Sequence, residues 1–217
     1  MTAEDRGAGD GDEVVRFWEA HYGRHERVWS GRPNAVLVDI AGPLAAGRAL
    51  DLGCGEGGDA VWLAGRGWHV TAVDVSVTAL ERAAAQATAA GVESRIHFQQ
   101  HDLGRSFPAG TFDLVSAQYL QSPVALPRDH VLRRAAGAVA AGGLLLVVEH
   151  GSVPSWARKP DSHARFPTPE RALATLELEL GAWETERLGA PERQSTGPDG
   201  QLGTIRDTVI ALRRRAG

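Results

Sequence analysis

From residue 48 onward, short apolar runs alternate with segments whose apolar residues recur every three or four positions. "RALDL" (48–52), "WHVTAVDV" (68–75), "RIHFQQHDL" (95–103), "FDLVSAQYL" (112–120) and "LLLVVEHG" (144–151) read as buried strands. Between them, "GDAVWLAGRG" (58–67) and the alanine-rich "VTALERAAAQATAAG" (77–91) read as helices closed by glycine, and "RDHVLRRAAGAVAAGG" (128–143) as a third helix. Such alternation predicts a doubly wound, mostly parallel sheet with right-handed crossovers and helices on both faces. After a capped helix, "PTPERALATLELELG" (167–181), the pattern changes. "AWETERL" (182–188) and "TIRDTVIALRRR" (204–215), joined through the turn "TGPDG", predict an antiparallel edge hairpin and seven strands in all.

Ahead of this α/β core (48–217) the pattern is weaker. Residues 1–12, "MTAEDRGAGDGD", are polar and glycine-rich, and predict a disordered tail. Residues 13–47 predict two short helices, "EVVRFWEAHYG" and "NAVLVDIAGPL", separated by "RHERVWSGRP".

Composition narrows the class without naming a function. A chain of 217 residues, 43% hydrophobic and 23% charged, fits one soluble globular domain. Its net charge of −4 argues against nucleic acid as the main partner. The single cysteine, Cys54, excludes an internal disulfide framework and a cysteine-cluster zinc site, so no metal is expected. No secretory leader is evident, and the longest apolar run, "LLLVV" (144–148), is far short of a membrane span. The expected setting is cytoplasmic, with no membrane partner.

Candidate chemistry concentrates in "DLGCGEGGD" (51–59). Its middle fits the dinucleotide fingerprint G-x-G-x-x-G, and Asp74 follows at about the expected 20 residues. A glycine turn lets any adenosine cofactor approach the backbone, so its neighbours must discriminate. Asp51, at the tip of the first strand, would repel a pyrophosphate but suits a cofactor carrying an ammonium and a sulfonium. Asp74, ending the second strand, can accept from both ribose hydroxyls. Asp102, ending the third, can accept from an exocyclic amine. Three acids closing three successive strands fit S-adenosylmethionine better than NAD.

With those residues in place, "LDLGCGEGGDAVWLAGRGWHVTAVDVS", "HDL", "FDLVSAQYL" and "AAGGLLLVVEHG" resemble, in order, the motifs of class I S-adenosylmethionine-dependent methyltransferases over roughly residues 15–213. "VWSGRPN" and the C-terminal hairpin are similar to the tellurite-resistance and thiopurine methyltransferase branch, which acts on small acceptors, often soft sulfur, selenium or tellurium nucleophiles. The resemblance implies that Gly53, Cys54 and Gly55 line the methionine end of the cofactor, that Val75 and Leu103 pack with Asp102 at the adenine, and that Gln118 reaches the amino-acid end. Ser76 joins the Asp74 turn, and also suits the N-cap of the following helix. Trp29 and Arg32 fall in a segment that closes over the cofactor in the related branch. Arg32 there pairs with the cofactor's carboxylate or is an ordinary surface arginine.

Tyr119 and His150 follow the fourth and fifth strands and are expected to face the pocket as catalytic or substrate-contacting residues. His150 either takes a proton from the acceptor or is a satisfied structural group. Arg193 falls near the basic substrate contacts of tellurite-type enzymes, but "ERQSTGPDG" departs from their pattern, which counts against tellurite. His101 is expected to point away from the site. "AQYLQSP" lacks the Asn/Asp-Pro-Pro-aromatic run of enzymes that methylate flipped bases. The expected activity is methyl transfer to a small molecule by in-line displacement, releasing S-adenosylhomocysteine from a monomer or homodimer. With His150 equally open to a structural reading, the sequence fixes no base, and a soft or already ionised acceptor is favoured. The alternatives are O- or N-methylation of a small metabolite, an NAD(P)-dependent oxidoreductase, and a cofactor-binding protein without turnover.

Overall fold

The computed structural model describes residues 3–157, 166–179, 181–197 and 199–216, with side chains described from residue 13. Eight strands form one sheet: β1 (Arg48–Leu52), β2 (His69–Asp74), β3 (Ile96–Gln100), β4 (Phe112–Gln118), β5 (Val139–His150), β6 (Trp183–Gly189), β7 (Glu192–Thr196) and β8 (Leu202–Arg214). Their order is β3-β2-β1-β4-β5-β8-β6, with β7 also against β8. β1 to β5 are parallel, and β8 runs antiparallel to β5, β6 and β7.

Helices α1 (Ala3–Gly23), α2 (Ala35–Ala41), α3 (Gly58–Gly65), α4 (Val77–Ala89), α5 (Arg128–Gly137) and α6 (Pro169–Ala174) complete the fold. The strands read as unbroken apolar runs because both faces of the sheet are covered. Along β5, Leu144, Leu146 and Val148 join Leu37, Leu63 and Leu80 from α2, α3 and α4. The alternate residues Leu145 and Val147 join Val131, Leu132 and Ala172 from α5 and α6. Three layers result, with the Rossmann-like topology read from the sequence.

The boundaries differ in four places. α1 begins at Ala3, inside the segment whose composition suggests a disordered tail. The third core helix ends at Gly137 rather than Gly143, because Val139 already pairs with Phe112 on β4. The register then slips before Leu144 meets Leu114, and Gly142 takes φ +76°, so "AAGG" is an irregular strand start rather than a helix end. α6 covers only six residues of the expected 167–181 helix. Thr168 caps it, and Glu177 turns the chain out at φ +49°; Leu180 of that expected helix lies outside the described residues.

The C-terminal edge holds three strands, not two. After a register shift between Thr185 and Arg187, the second half of β6 and the whole of β7 share one register along β8, with Gly189 opposite Val209 and Glu192 opposite Arg206. Between them lies Pro191, which has no N–H to donate, although its carbonyl still accepts from Asp207. The expected strand 182–188 is β6, and β7 is an additional strand beyond Pro191, in what reads as loop from the sequence.

Candidate active site

The strand order reverses between β1 and β4, and the crevice beyond their C-terminal ends is where ligands settle in such sheets. A cavity of about 840 Å³ lies there. Among the expected site residues, Trp29, Arg32, Asp51, Gly53, Cys54, Gly55, Asp74, Val75, Asp102, Leu103, Gln118, Tyr119, His150 and Arg193 all line it. Ser76 does not. It is fully buried, and its hydroxyl accepts from the amide of Ala79 as the N-cap of α4. His101, expected to point away, lines the cavity. Its ring nitrogens contact Ser106 Oγ at 2.8 Å and Gln99 Oε1 at 3.0 Å.

The glycine turn follows from backbone geometry. Gly53, Gly55 and Gly57 take φ of +69°, +52° and +86°, the left-handed region that L side chains avoid. The turn is pinned when Gly55 N–H donates to Asp74 Oδ2 at 2.9 Å, while Asp74 Oδ1 accepts from Ser76 N–H at 3.0 Å. Asp74 is thus buried at the junction of β2 and the turn. Burial raises its pKa, with the amides of Ser76, Gly55 and Val75 opposing the shift.

Three polar atoms of cavity-lining residues have no partner among the described residues: the acceptors Asp51 Oδ2 and Gln118 Oε1, and the ring nitrogen His150 Nδ1. Gln118 uses its amide N–H to donate to Ser116 Oγ, which leaves its carbonyl oxygen free. Asp51 is 2% exposed, and burial followed by the nearby Asp59 and Asp74 carboxylates pushes its pKa well up. Asp102 also lines the cavity while its Oδ1 accepts from Gly104 N–H at 3.0 Å, so it is a turn residue as well. The Cys54 thiol is buried, with its pKa pushed up by that burial and by Asp74 and Asp51, as suits an inert small side chain.

The N-terminal segment lies directly on the turn. Glu56 is buried and accepts from Val28 N–H, from Trp29 N–H at 2.9 Å and from Arg82 Nη1 at 2.8 Å. Asp59 accepts from the Asn34 amide at 2.6 Å and from Asn34 Nδ2 at 2.7 Å. Trp29 Nε1 donates to the Tyr22 hydroxyl at 3.1 Å. Arg32 lines the cavity, and its carbonyl packs over Gly58 so closely that a Cβ there would approach it to 2.8 Å. Sequence reading assigned no role to Tyr22, Glu56 or Asp59, although Glu56 and Asp59 stand inside the quoted turn.

A Cβ on Gly55 would lie 3.1 Å from the Tyr22 hydroxyl and 3.2 Å from Trp29 Nε1. Gly55→Ala is therefore expected to cost about 1–2 kcal/mol from the left-handed backbone alone. That corresponds to a melting temperature lower by about 2–8 °C in a chain of this size. An unchanged melting curve would mean that the segment does not press on the turn.

At another part of the cavity the ends of β4 and β5, the start of β7 and the middle of β8 bring Tyr119, His150, Arg193 and Asp207 together. Asp207 was not foreseen; its signal was one acid inside the apolar run "TIRDTVIAL".

Residues 49–143 match the family model described as a methyltransferase domain. The chain is matched by that model over a little under half of its length. It is 38% identical over 117 residues to 27-O-demethylrifamycin SV methyltransferase of Amycolatopsis mediterranei, covering 52% of this chain and 42% of that protein. It is 34% identical over 101 residues to Probable thiol methyltransferase 2 of Arabidopsis thaliana, covering 45% of each. The chain thus spans less than half the length of the curated relatives it matches. Over most of the chain the likeness to solved structures is one of fold. The structure described for conversion of a disulfide bond into a thioacetal group during echinomycin biosynthesis superposes with a TM-score of 0.71 at 23% identity over 94% of both chains. TehB from Haemophilus influenzae superposes at 0.68 with 18% identity, over 84% of this chain and 62% of that one. Among the described residues no helix is long and apolar enough to cross a membrane.

Proposed function

We propose that the protein transfers a methyl group from S-adenosylmethionine to a small-molecule acceptor held in the same cavity. The observation that carries this reading is the pair of unpartnered buried acceptors, Asp51 Oδ2 and Gln118 Oε1, beside the glycine turn. Buried acceptors call for a donor, and an ammonium group supplies several, with a charge that matches Asp51. A pyrophosphate at the same place would meet the Asp51 carboxylate as a like charge, which argues against the nicotinamide reading.

On this reading Asp51 and Gln118 hold the amino-acid end, with Gly53, Cys54 and Gly55 alongside. Asp74 accepts from the ribose hydroxyls, and Val75, Asp102 and Leu103 enclose the adenine. Residues 13–47, with Trp29 and Arg32, form the lid. When bound, S-adenosylmethionine supplies a methyl group on a positively charged sulfur, so the leaving group comes with the cofactor. The chain's own task is to align donor and acceptor and to exclude water, which lowers a barrier by about 7–11 kcal/mol when done well. A volume of about 840 Å³ suits small ligands. A cytoplasmic setting without nucleic acid or membrane partners belongs to the same proposal.

The curated relatives' names point to two acceptor classes, one containing "27-O-demethyl" and the other "thiol". The sequence favoured a soft acceptor because it fixed no base, His150 being open to a structural reading. Asp207 beside His150 removes that ground.

Calorimetric titration with S-adenosylmethionine, S-adenosylhomocysteine and NADPH tests the cofactor. Saturable binding is expected for the first two and none for NADPH. Asp74→Ala is expected to weaken binding about a hundredfold or more, from two hydrogen bonds to a charged group at about 1.5–3 kcal/mol each. Binding of NADPH alone would overturn the proposal.

A further inference from the structure

Asp207 on β8 lies opposite His150 on β5 in the antiparallel register and is 1% exposed. Its Oδ2 accepts from the Tyr119 hydroxyl at 2.8 Å and from Arg193 Nε, and its Oδ1 lies 3.4 Å from Arg193 Nη2. The same Oδ1 is 3.5 Å from His150 Nδ1, which is buried and has no hydrogen-bond partner among the described residues. The His150 side chain is nevertheless 44% exposed and lines the cavity, so its open edge is the one carrying Nε2. The ring lies against Tyr119 at a tilt of 34° with centroids 4.5 Å apart, and Gln121 Oε1 accepts from the His150 amide at 3.2 Å.

Tyr119 itself sits at φ +52°, a strained conformation for a bulky residue. Its amide donates to Val148 O at 2.7 Å and its hydroxyl is committed to Asp207. Burial and the contact with Asp207 push the phenol's pKa up, so Tyr119 is a donor and not a base. Burial alone would raise Asp207 too, but the His150 ring beside it and the hydrogen bonds from Arg193 and Tyr119 hold it below the usual carboxylate value. Among the described residues, the titratable and charged groups around the imidazole are therefore Tyr119 just after β4, Arg193 from β7 and Asp207 from β8.

We infer that His150 is the general base of the methyl transfer, that Asp207 is the positioning residue that fixes its proton on Nδ1, and that the acceptor is consequently a neutral hydroxyl. The inference rests on the methyl-transfer reading above. His150 Nε2 takes the hydroxyl proton while the oxygen's electron pair forms the new bond to the methyl carbon. The carbon–sulfur bond breaks with its electron pair passing to sulfur. The positive charge moves from sulfur to the imidazole, next to the Asp207 carboxylate, and the proton then leaves to water. A thiolate or selenolate is already ionised and has no use for this arrangement.

Two measurements separate this from the cofactor reading. The first is the ¹⁵N spectrum of the imidazoles in the cofactor-free protein, with His150 assigned through His150→Gln. A neutral ring protonated on Nδ1 is expected in the wild type, and a mixture of both tautomers in Asp207→Asn. A wild-type ring protonated on Nε2 would overturn the inference, whatever the enzyme's activity. The second is transfer of labelled methyl groups to a panel of phenols, alcohols and thiols across pH. Transfer to hydroxyls is expected, with an acid limb in kcat/KM that His150→Gln removes. The rate in that variant should be lower by about 10²–10⁴-fold, with S-adenosylhomocysteine affinity unchanged. Transfer to thiols alone, or hydroxyl transfer that survives His150→Gln within twofold, would overturn the base while leaving the methyltransferase reading intact. Failure of S-adenosylmethionine to bind or react would instead remove that reading itself. Should the buried Asp207→Asn variant not fold, the half-exposed His150→Gln carries the test.

Discussion

Replacing Asp51 by asparagine is expected to stabilise the ligand-free protein at neutral pH and, in the same variant, to remove most of its affinity for S-adenosylmethionine. The two effects share one cause. Asp51 is buried, its Oδ2 has no partner, and Asp59 and Asp74 add like charge nearby, so folding disfavours its ionised form. A carboxyl whose folded pKa is raised contributes most to stability at low pH, and the contribution is lost as pH rises towards and through the raised value. Asparagine keeps the shape and cannot ionise. The stability difference between variant and wild type should therefore vanish in acid and grow as pH rises.

Binding reverses the sign. Asparagine offers an ammonium no negative charge, and losing one member of a buried ion pair costs about 3–5 kcal/mol. The affinity should fall by about a hundredfold to a few thousandfold. Melting curves between acid and neutral pH, with calorimetry at neutral pH, check both halves. A variant that binds normally, or that is less stable than the wild type across the whole range, would return Asp51 to a structural role.

Legibility in the sequence followed the range of the interactions. β1, β2 and α4 were readable almost to the residue, because glycine ends and apolar runs are local signals. The start of β5 was not. "GAVAAGG" has helical composition, and only pairing of Val139 with Phe112, 27 positions away, draws it into the sheet. β7 was missed because "ERQST" is a polar edge strand, with only one side paired. The site divides the same way. Asp51, the glycine turn and Asp74 belong to one contiguous motif, so the sequence exposed them together. Asp207 gains its meaning from His150, Tyr119 and Arg193, which lie 57, 88 and 14 positions away and meet only once β8 is paired with β5. Glu56 was in plain view within "GCGEGG", yet what it holds, the backbone of Val28 and Trp29, leaves no trace in residue type.

That hidden role makes Glu56 the strongest stability test of the N-terminal segment. Its carboxylate takes two backbone amides and Arg82, whose Nη2 donates in turn to the carbonyls of Tyr22 at 3.0 Å and His25 at 2.7 Å. α1 is tied to α4 a second time, where Glu19 accepts from the Val77 amide and from the Thr78 hydroxyl at 2.6 Å. Glu56→Ala leaves two amides and Arg82 Nη1 without their acceptor. Breaking a buried pair costs about 3–5 kcal/mol. Because Arg82 is 26% exposed and water can reach it, the lower end of that range applies. A fall in melting temperature of about 6–12 °C follows, together with weaker cofactor binding if residues 13–47 are the lid.

The pH dependence has a definite sign. Burial would raise Glu56, but the Trp29 amide, Arg82 and the Val28 amide outweigh it and hold its pKa below the usual glutamate value. A depressed carboxylate contributes fully above the unfolded pKa, about 4.3, and the contribution is lost as pH falls through the folded value. Wild type and Glu56→Gln should therefore differ most at neutral pH and converge in acid, with Glu19 cancelling from the comparison because both proteins retain it. A difference that stays constant from pH 7 down to acid would show that Glu56 acts by shape alone. The segment would then be held by its packing on Gly55 and Gly58 rather than by charge.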